Sequence, residues 1–443
     1  MRKQYATAKW LRGLALMLLV SLVGGCAQPE PSEVDSTEST STEITEVTES
    51  TGEDTAYDPS LDQWAIEPKW ENNAFNGLCF AMTGARSRGL DMDALIDLVG
   101  EMNVEAQRHW IHATSVLSDP STPKEAQVTR HKEWIAKLRE QGVTKIVGMS
   151  HYWFLPESIN VDGMDKNLAR SATPYRDTDE GSVYMQFLEM YEESWFTLAS
   201  TFPEIEFWEV GNETNHDLYL HPLTYESRKI KFTQEEKAEI LTDMLFYASR
   251  GIHRANPDAI VILPGLAPVT GFECMADFME LIYRNIESGH YGNGSTDTNS
   301  YFQAAAWHGY VLREKFNIDK WIAGNDLCYN VMKTHGDGDK KVFLTEFGFS
   351  DDGTKATDAE QAEFFRQIYE RISKLSYVDS IYPFRLVEDT DNSDTVEVYY
   401  GMFKVFSETE FGVKEKGKAI CELYGGTLSA LDKYIGDHTV YPE

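Results

Sequence analysis

The stretch FWEVGNETN, Phe207 to Asn215, decides how the rest of the chain is read. Its first half is aromatic and β-branched, and together with Ile205 it reads as a buried strand over 205–213. Gly211 breaks the run, and Asn212 and Glu213 stand at the C-terminal end of the strand. An acid at the mouth of a buried strand is either a paired structural group or a reactive one. A second carboxylate in an equivalent place would decide for the reactive one.

Outward from this segment, short apolar runs alternate with longer amphipathic ones. Strands are expected at 74–82, 104–110, 143–153, 205–213, 259–265, 301–310, 341–348 and 378–388. Helices are expected at 91–102, 122–142, 183–202, 233–257 and 274–288, in a region ending near Lys333, and at 358–376 and 414–435. The helix over 122–142 is read with a Thr cap, a Pro in its first turn and a closing Gly; that over 233–257 opens on Thr233 and stops at Pro257. Strict alternation of strand and helix means parallel strands joined by right-handed crossovers. Eight such units define an α/β protein of the (β/α)8 TIM-barrel class over residues 61–443. The rival, an open doubly wound sheet, favours a glycine-rich phosphate loop after an early strand. The sequence holds neither GxGxxG nor a P-loop.

The 443 residues carry a net charge of -32, which argues against nucleic acid as a partner and against electrostatic docking on anionic lipid. The N-terminus has a basic start (Arg2, Lys3, Lys9, Arg12) and an apolar run, LALMLLVSLV (14–23), too short to span a bilayer as a mature helix. VGGC (23–26) resembles the lipobox of bacterial lipoproteins, which implies a signal peptide over 1–25, lipidation of Cys26 and a lipid anchor at the bacterial cell surface. Residues 27–60 contain thirteen Ser or Thr, ten Asp or Glu, and no Lys or Arg. Such a segment buries no core and repels itself, so 26–60 is expected to be a disordered tether. Cys79, Cys274, Cys328 and Cys421 are widely spaced, without CxxC or Cys/His metal spacing, and read as buried free thiols, with one disulfide outside the membrane as the alternative.

In a barrel of this class the reactive residues stand at the C-terminal strand ends. Strand two ends in Arg108, His109 and Trp110; strand three in His151, Tyr152 and Trp153; strand four in Asn212 and Glu213. Strand six ends in Trp307, His308 and Tyr310, strand seven in Glu346, and strand eight near Phe384, Arg385 and Glu388. Glu213 and Glu346 face each other across the mouth. Glycosidic bond cleavage needs such a pair, one carboxyl protonated and one ionised. Arg108 can hold one of them ionised, Tyr310 or His308 can hydrogen-bond to it, and Trp110, Trp153 and Trp307 offer flat faces for sugar rings.

The ordered set resembles the retaining glycoside hydrolases of clan A, which are (β/α)8 barrels. GNE matches their strand-four pair at Asn212–Glu213, LTEFG their strand-seven glutamate at Glu346, Arg108 their strand-two arginine, and His308 with Tyr310 their His-x-Tyr after strand six. The resemblance spans residues 70–435 and is nearest in flavour to families 39, 51 and 5. It implies Glu213 as acid/base, Glu346 as nucleophile, a carbohydrate substrate with β-linked O-glycosidic bonds, and no cofactor or metal. Substrate contacts are expected from Arg108, Asn212, Trp307, His308, Tyr310, His151 and Trp110, and from Tyr175, Arg176 and His216 on long loops. One departure is the lack of the Trp that many clan members carry at the end of strand eight; Phe384 and Arg385 stand there. A non-hydrolytic surface glycan-binding protein and a transglycosylase remain the alternatives.

Overall fold

The computed structural model describes residues 58–159, 169–223, 230–310, 316–349, 357–388 and 400–427. The signal segment, Cys26 and the tether as far as residue 57 lie outside the described residues. All eight expected barrel strands are present: β1 (Gly77–Cys79), β2 (Ala106–Trp110), β3 (Lys145–Ser150), β4 (Phe207–Val210), β5 (Ile260–Leu266), β6 (Ala304–His308), β7 (Lys341–Phe347) and β8 (Val378–Pro383). They pair in parallel in chain order, and the bridges Asn76–Ile381 and Cys79–Phe384 join the last strand to the first. The helices that alternate with them are α1 (Met92–Glu101), α2 (Glu125–Glu140), α3 (Val183–Thr201), α4 (Gln234–Ala255), α5 (Phe272–Glu287), α6 (Ile318–Thr334), α7 (Asp358–Ile372) and α8 (Glu415–Tyr424), with short helical turns at Met82–Ser87 and Ala113–Val116.

Local chemistry explains several element bounds. The Thr233 hydroxyl accepts from Glu236 N at 3.1 Å while the Glu236 carboxylate accepts from Thr233 N, a reciprocal cap that opens α4. Thr357 and Glu360 repeat it at α7. The expected start of the second helix is corrected. Thr122 and Pro123 instead pair antiparallel with the 117–119 segment, and α2 begins at Glu125. Proline serves there as an edge-strand residue rather than a first-turn residue. The last helix ends earlier than expected: α8 stops at Tyr424, where Gly425 closes it at a φ of 75°, and residues beyond 427 lie outside the described residues. The stretch 391–411, to which the alternation assigned no element, is described from residue 400 onward, where Phe403–Val405 pairs antiparallel with Phe411–Val413.

The two faces of each strand serve different cores. Ala106, Val147, Phe207, Ile260, Ile262, Ala304, Ala306, Phe343 and Tyr382 fill the barrel interior. Their alternating neighbours pack outward on the helices, as Trp208 does on Trp195 at 5.9 Å. Lys145 opens β3 with its ammonium buried, donating to Ala74 O at 3.0 Å and paired with Asp379 of β8. Burial lowers the Lys145 pKa and raises that of Asp379, so each charge depends on the other. Lys145→Ala is expected to destabilise the barrel by about 3–5 kcal/mol. The double change Lys145→Met with Asp379→Leu should recover most of that loss, and denaturant unfolding of the three proteins measures both.

Five of the buried histidines, His109, His112, His131, His151 and His253, share one electrostatic fate. Burial is the main cause that lowers every one, His112 to about 3, His131 and His253 to about 4, and the other two well below 6.5. The unfolded chain takes up these protons near pH 6.5 and the fold does not. Their contribution is therefore complete above pH 6.5 and is lost as the pH falls toward 4. Melting midpoints should decline across that window with proton uptake on unfolding; a flat profile would contradict the burial.

Candidate active site

Period-two alternation along β2 turns Arg108 inward, and it is fully buried. Its Nε and Nη2 donate to Glu209 Oε2 and Oε1 at 2.6 and 2.9 Å, a two-pronged pair. Nη2 also donates to Asn212 Oδ1 at 2.8 Å, and Nη1 donates to Glu346 Oε1. Burial opposes the guanidinium charge, but Glu209 and Glu346 outweigh it and hold the group well above its ordinary pKa. One cation thus fixes the inner face of β4 and the end of β7.

Glu346 takes a second donor, the Tyr310 hydroxyl, at 2.6 Å on Oε2. Burial and then the Glu346 charge push the phenol far above 10, so it remains a donor. The strand register slips between Leu344 and Phe347, and Thr345 and Glu346 both reach barrel partners. This irregularity aims Glu346 into the mouth, as bulges beside sites often do.

Glu213 lies one turn beyond β4 with φ of 47°, in the left-handed region, and its N–H donates to Gly265 O at 2.8 Å. His308 Nδ1 lies 2.8 Å from Glu213 Oε1 and 3.7 Å from Glu346 Oε2. One carboxylate oxygen of each glutamate and one ring nitrogen of His308 all lie within 4.8 Å of one another. Burial raises the Glu213 pKa, but the His308 hydrogen bond, with the charges of His308, His216 and Arg108, brings it below the usual 4.5. Among the described residues these three also form the group close enough to hold a metal ion. Arg108, already on Glu346, opposes a cation there.

The mouth thus gathers Arg108, Asn212, Glu213, His308, Tyr310 and Glu346 from the sequence expectations. Trp110 and His151 lie beside them, Trp110 with the Arg108 guanidinium 6.0 Å from its ring and 6.1 Å from the His151 ring. His216 acts electrostatically on Glu213. Trp307 does not belong to the mouth. It is fully buried on the outer face of β6 between inward Ala306 and His308, and its indole donates to Asn325 Oδ1 of α6 at 2.8 Å. Trp153 is likewise a core residue, packed on Phe187 and Tyr191 with its indole on Ala172 O. His109 faces outward and pairs with His131 at 2.9 Å. Arg176 is engaged by Asp243 and lies over the Tyr291 ring, while Tyr175 is half exposed against Phe232. Glu388 is paired with Lys414 at 2.6 Å.

The sequence reading passed over Glu209, Thr345, Cys79 and Tyr400. Glu209 is fully buried and accepts from Arg108, from Gly265 N at 2.8 Å and from Thr345 Oγ1 at 3.1 Å. Its signal was parity, since it sits two residues after inward-facing Phe207. The Cys79 thiol lies 4.0 Å from Glu346 Oε1, and burial pushes its pKa to about 12. Tyr400 forms a ring cluster with Tyr310 at 5.5 Å and Phe384 at 5.8 Å. These rings stand beside Glu346 where the sequence lacks a strand-eight Trp.

Comparison with known proteins fits this geometry. Residues 253–405 match a family model described as a glycosyl hydrolase catalytic core; the matched part runs through β5 to β8 and includes Glu346. The match supports a glycosidase, and the resemblance to barrel glycoside hydrolases is borne out at that level. A glucosidase from Croceicoccus marinus has a similar structure, with a TM-score of 0.54 at 15% identity over 82% of this chain and 69% of that one. A family 39 glycoside hydrolase from Bacteroides cellulosilyticus gives 0.51 at 13% identity over 82% and 64%. A family 1 β-glucosidase from Thermotoga maritima gives 0.54 at 11% identity over 81% and 99%. At such identities the structural likeness carries the fold alone. No curated protein matches the chain by sequence.

Gly265 has no side chain where the His308 ring packs. A Cβ there would press on His308 Nε2 and stand 2.6 Å from Thr345 Oγ1. Gly265→Ala is therefore expected to tilt His308 away from Glu213. The protein should still fold, with turnover lowered by about a hundredfold, and steady-state kinetics with a melting curve separates the two effects.

Proposed function

We propose that this protein is a retaining glycosidase acting on β-linked O-glycosidic bonds of oligo- or polysaccharides. The observation that carries the reading is the spacing of Glu213 and Glu346, with oxygens within 4.8 Å of one another. Double displacement uses carboxyl groups about 5–5.5 Å apart, whereas inversion needs about 6.5–9.5 Å to admit a water. The unequal surroundings of the two groups suit unequal roles. Glu346, fixed by Arg108 and Tyr310, attacks the anomeric carbon. Glu213 donates its proton to the departing glycosidic oxygen, leaving a glycosyl ester on Glu346. Glu213 then takes a proton from water, and the resulting attack releases sugar of the original configuration.

Free Glu213 titrates below the usual carboxylate range, although burial, its largest single influence, raises it. A bound sugar excludes further water and strengthens that influence, favouring the protonated acid. Asn212, with Trp110 and His151, completes the contacts assigned to the sugar. A lipid anchor on Cys26 belongs to the same proposal and would hold the barrel outside the cell membrane.

Proton NMR of the first product formed from an aryl β-glycoside tests the reading directly. Initial release of the β-anomer supports it and initial release of the α-anomer overturns it. Glu213→Ala and Glu346→Ala should each lose about a thousandfold or more in turnover. Azide should restore Glu213→Ala with a β-glycosyl azide product and Glu346→Ala with the α-azide.

A further inference from the structure

Helix α4 carries a buried cation to which the proposed reaction gives no step. Lys237 stands at the end of its first turn and is fully buried. The ammonium donates to Asn215 O at 3.1 Å and to Asp217 Oδ1 at 2.5 Å. Gln234 Nε2 donates to the same Asn215 carbonyl at 3.1 Å, and Lys231 lies 3.2 Å from the other Asp217 oxygen. Burial lowers the Lys237 pKa, while the Asp217 hydrogen bond and charge oppose the shift. A buried ion pair is a poor source of stability by itself, since apolar residues of similar volume do as well. The place of this one gives it a different use.

The carbonyl that Lys237 holds lies two residues after Glu213. β4 ends at Val210, so the turn beyond it has no strand ladder to satisfy its buried backbone. Side chains take the place of the ladder. The Asn215 amide exchanges two hydrogen bonds of 2.8 Å with Ala267, as a neighbouring strand would. Lys237 and Gln234 hold the Asn215 carbonyl from the helix layer. Glu213 lies between these fixed points, its N–H on Gly265 O and its own carbonyl accepting from His216 N at 2.7 Å. Its φ of 47° is a left-handed conformation that a residue with a side chain keeps only where the surroundings over-determine it.

We infer that Lys237 is a positioning residue of the proposed acid/base: acting through Asn215, it braces the turn that aims Glu213 at the departing oxygen. The inference rests on the glycosidase reading above. Proton transfer depends on this brace and nucleophilic attack does not, because Arg108 and Tyr310 hold Glu346 from other strands.

The test uses two β-glycosides of the sugar that the wild type cleaves best, one with dinitrophenol and one with phenol as the leaving group. Dinitrophenolate departs without a proton, whereas phenolate needs one from the acid. Both are compared on the wild type, on Lys237→Met and on the double change Lys237→Met with Asp217→Asn, with melting curves to report folding. The double variant strands no charge and decides the matter where the single one does not fold. In either variant kcat/KM for the phenyl glycoside should fall by about a hundredfold, while that for the dinitrophenyl glycoside stays within about threefold. The kcat for the dinitrophenyl glycoside should fall as well, since water attack on the glycosyl ester needs Glu213 as base. Azide, which needs no base, should restore it. Equal losses on the two glycosides in a folded variant, or no loss on either, would overturn the inference and leave the glycosidase reading standing. A wild type that cleaves neither glycoside would overturn that reading, and this inference with it.

Discussion

The site depends on one buried cation. Arg108 has no contact with water and owes its charge to Glu209 and Glu346. A lone guanidinium in a barrel interior would be prohibitively costly, and so would two lone carboxylates. Together they satisfy one another, and the planar fork imposes directions as well as charge. Glu209 takes two prongs and so fixes the rotation of the guanidinium. The remaining donors then reach Asn212 and Glu346, at the ends of two different strands. The candidate site is held by electrostatics that the fold cannot release without stranding a charge.

Around that cation, the opposing glutamates are set by different means. Glu346 is held by two strong donors after a slipped register in β7. Glu213 is held by its backbone, in a left-handed turn latched to Gly265, and by one imidazole. Asn215 completes the latch, since its amide and Ala267 exchange two hydrogen bonds of 2.8 Å. A group gripped by two side-chain donors suits a fixed anion. A group with one imidazole partner and 17% side-chain exposure suits repeated proton transfer.

The barrel was legible because its signal is periodic and repeated eight times. Every expected strand is present, all but β5 trimmed within their expected bounds and β5 running on to Leu266. The two glutamates, Arg108, His308 and Tyr310 were legible because strand ends are where a barrel exposes polar groups. The errors came mainly from treating a strand end as a place rather than a direction. Trp307 and His308 are neighbours in sequence, yet one packs on α6 and the other reaches Glu213. His109 and Arg108 divide in the same way across the wall. Parity with Phe207 marked Glu209 as inward, but its partner came from another strand, and no local pattern announces such a pairing.

The missing strand-eight tryptophan shows a different limit. The sequence could show that Phe384 stands there, but not what stands beside it. Tyr400 arrives from a later segment, held where Arg385 N donates to Tyr400 O at 3.4 Å and Met402 N to Arg385 O at 2.9 Å. Gly401 permits this approach, since a Cβ there would collide with the backbone of Val387 and Glu388. Phe384, Tyr310 and Tyr400 then meet edge to face, a stable arrangement for aromatic rings. An indole would offer both a broad face and an N–H donor. The phenyl ring of Phe384 offers only a face, so polar recognition beside it falls to side chains of other strands.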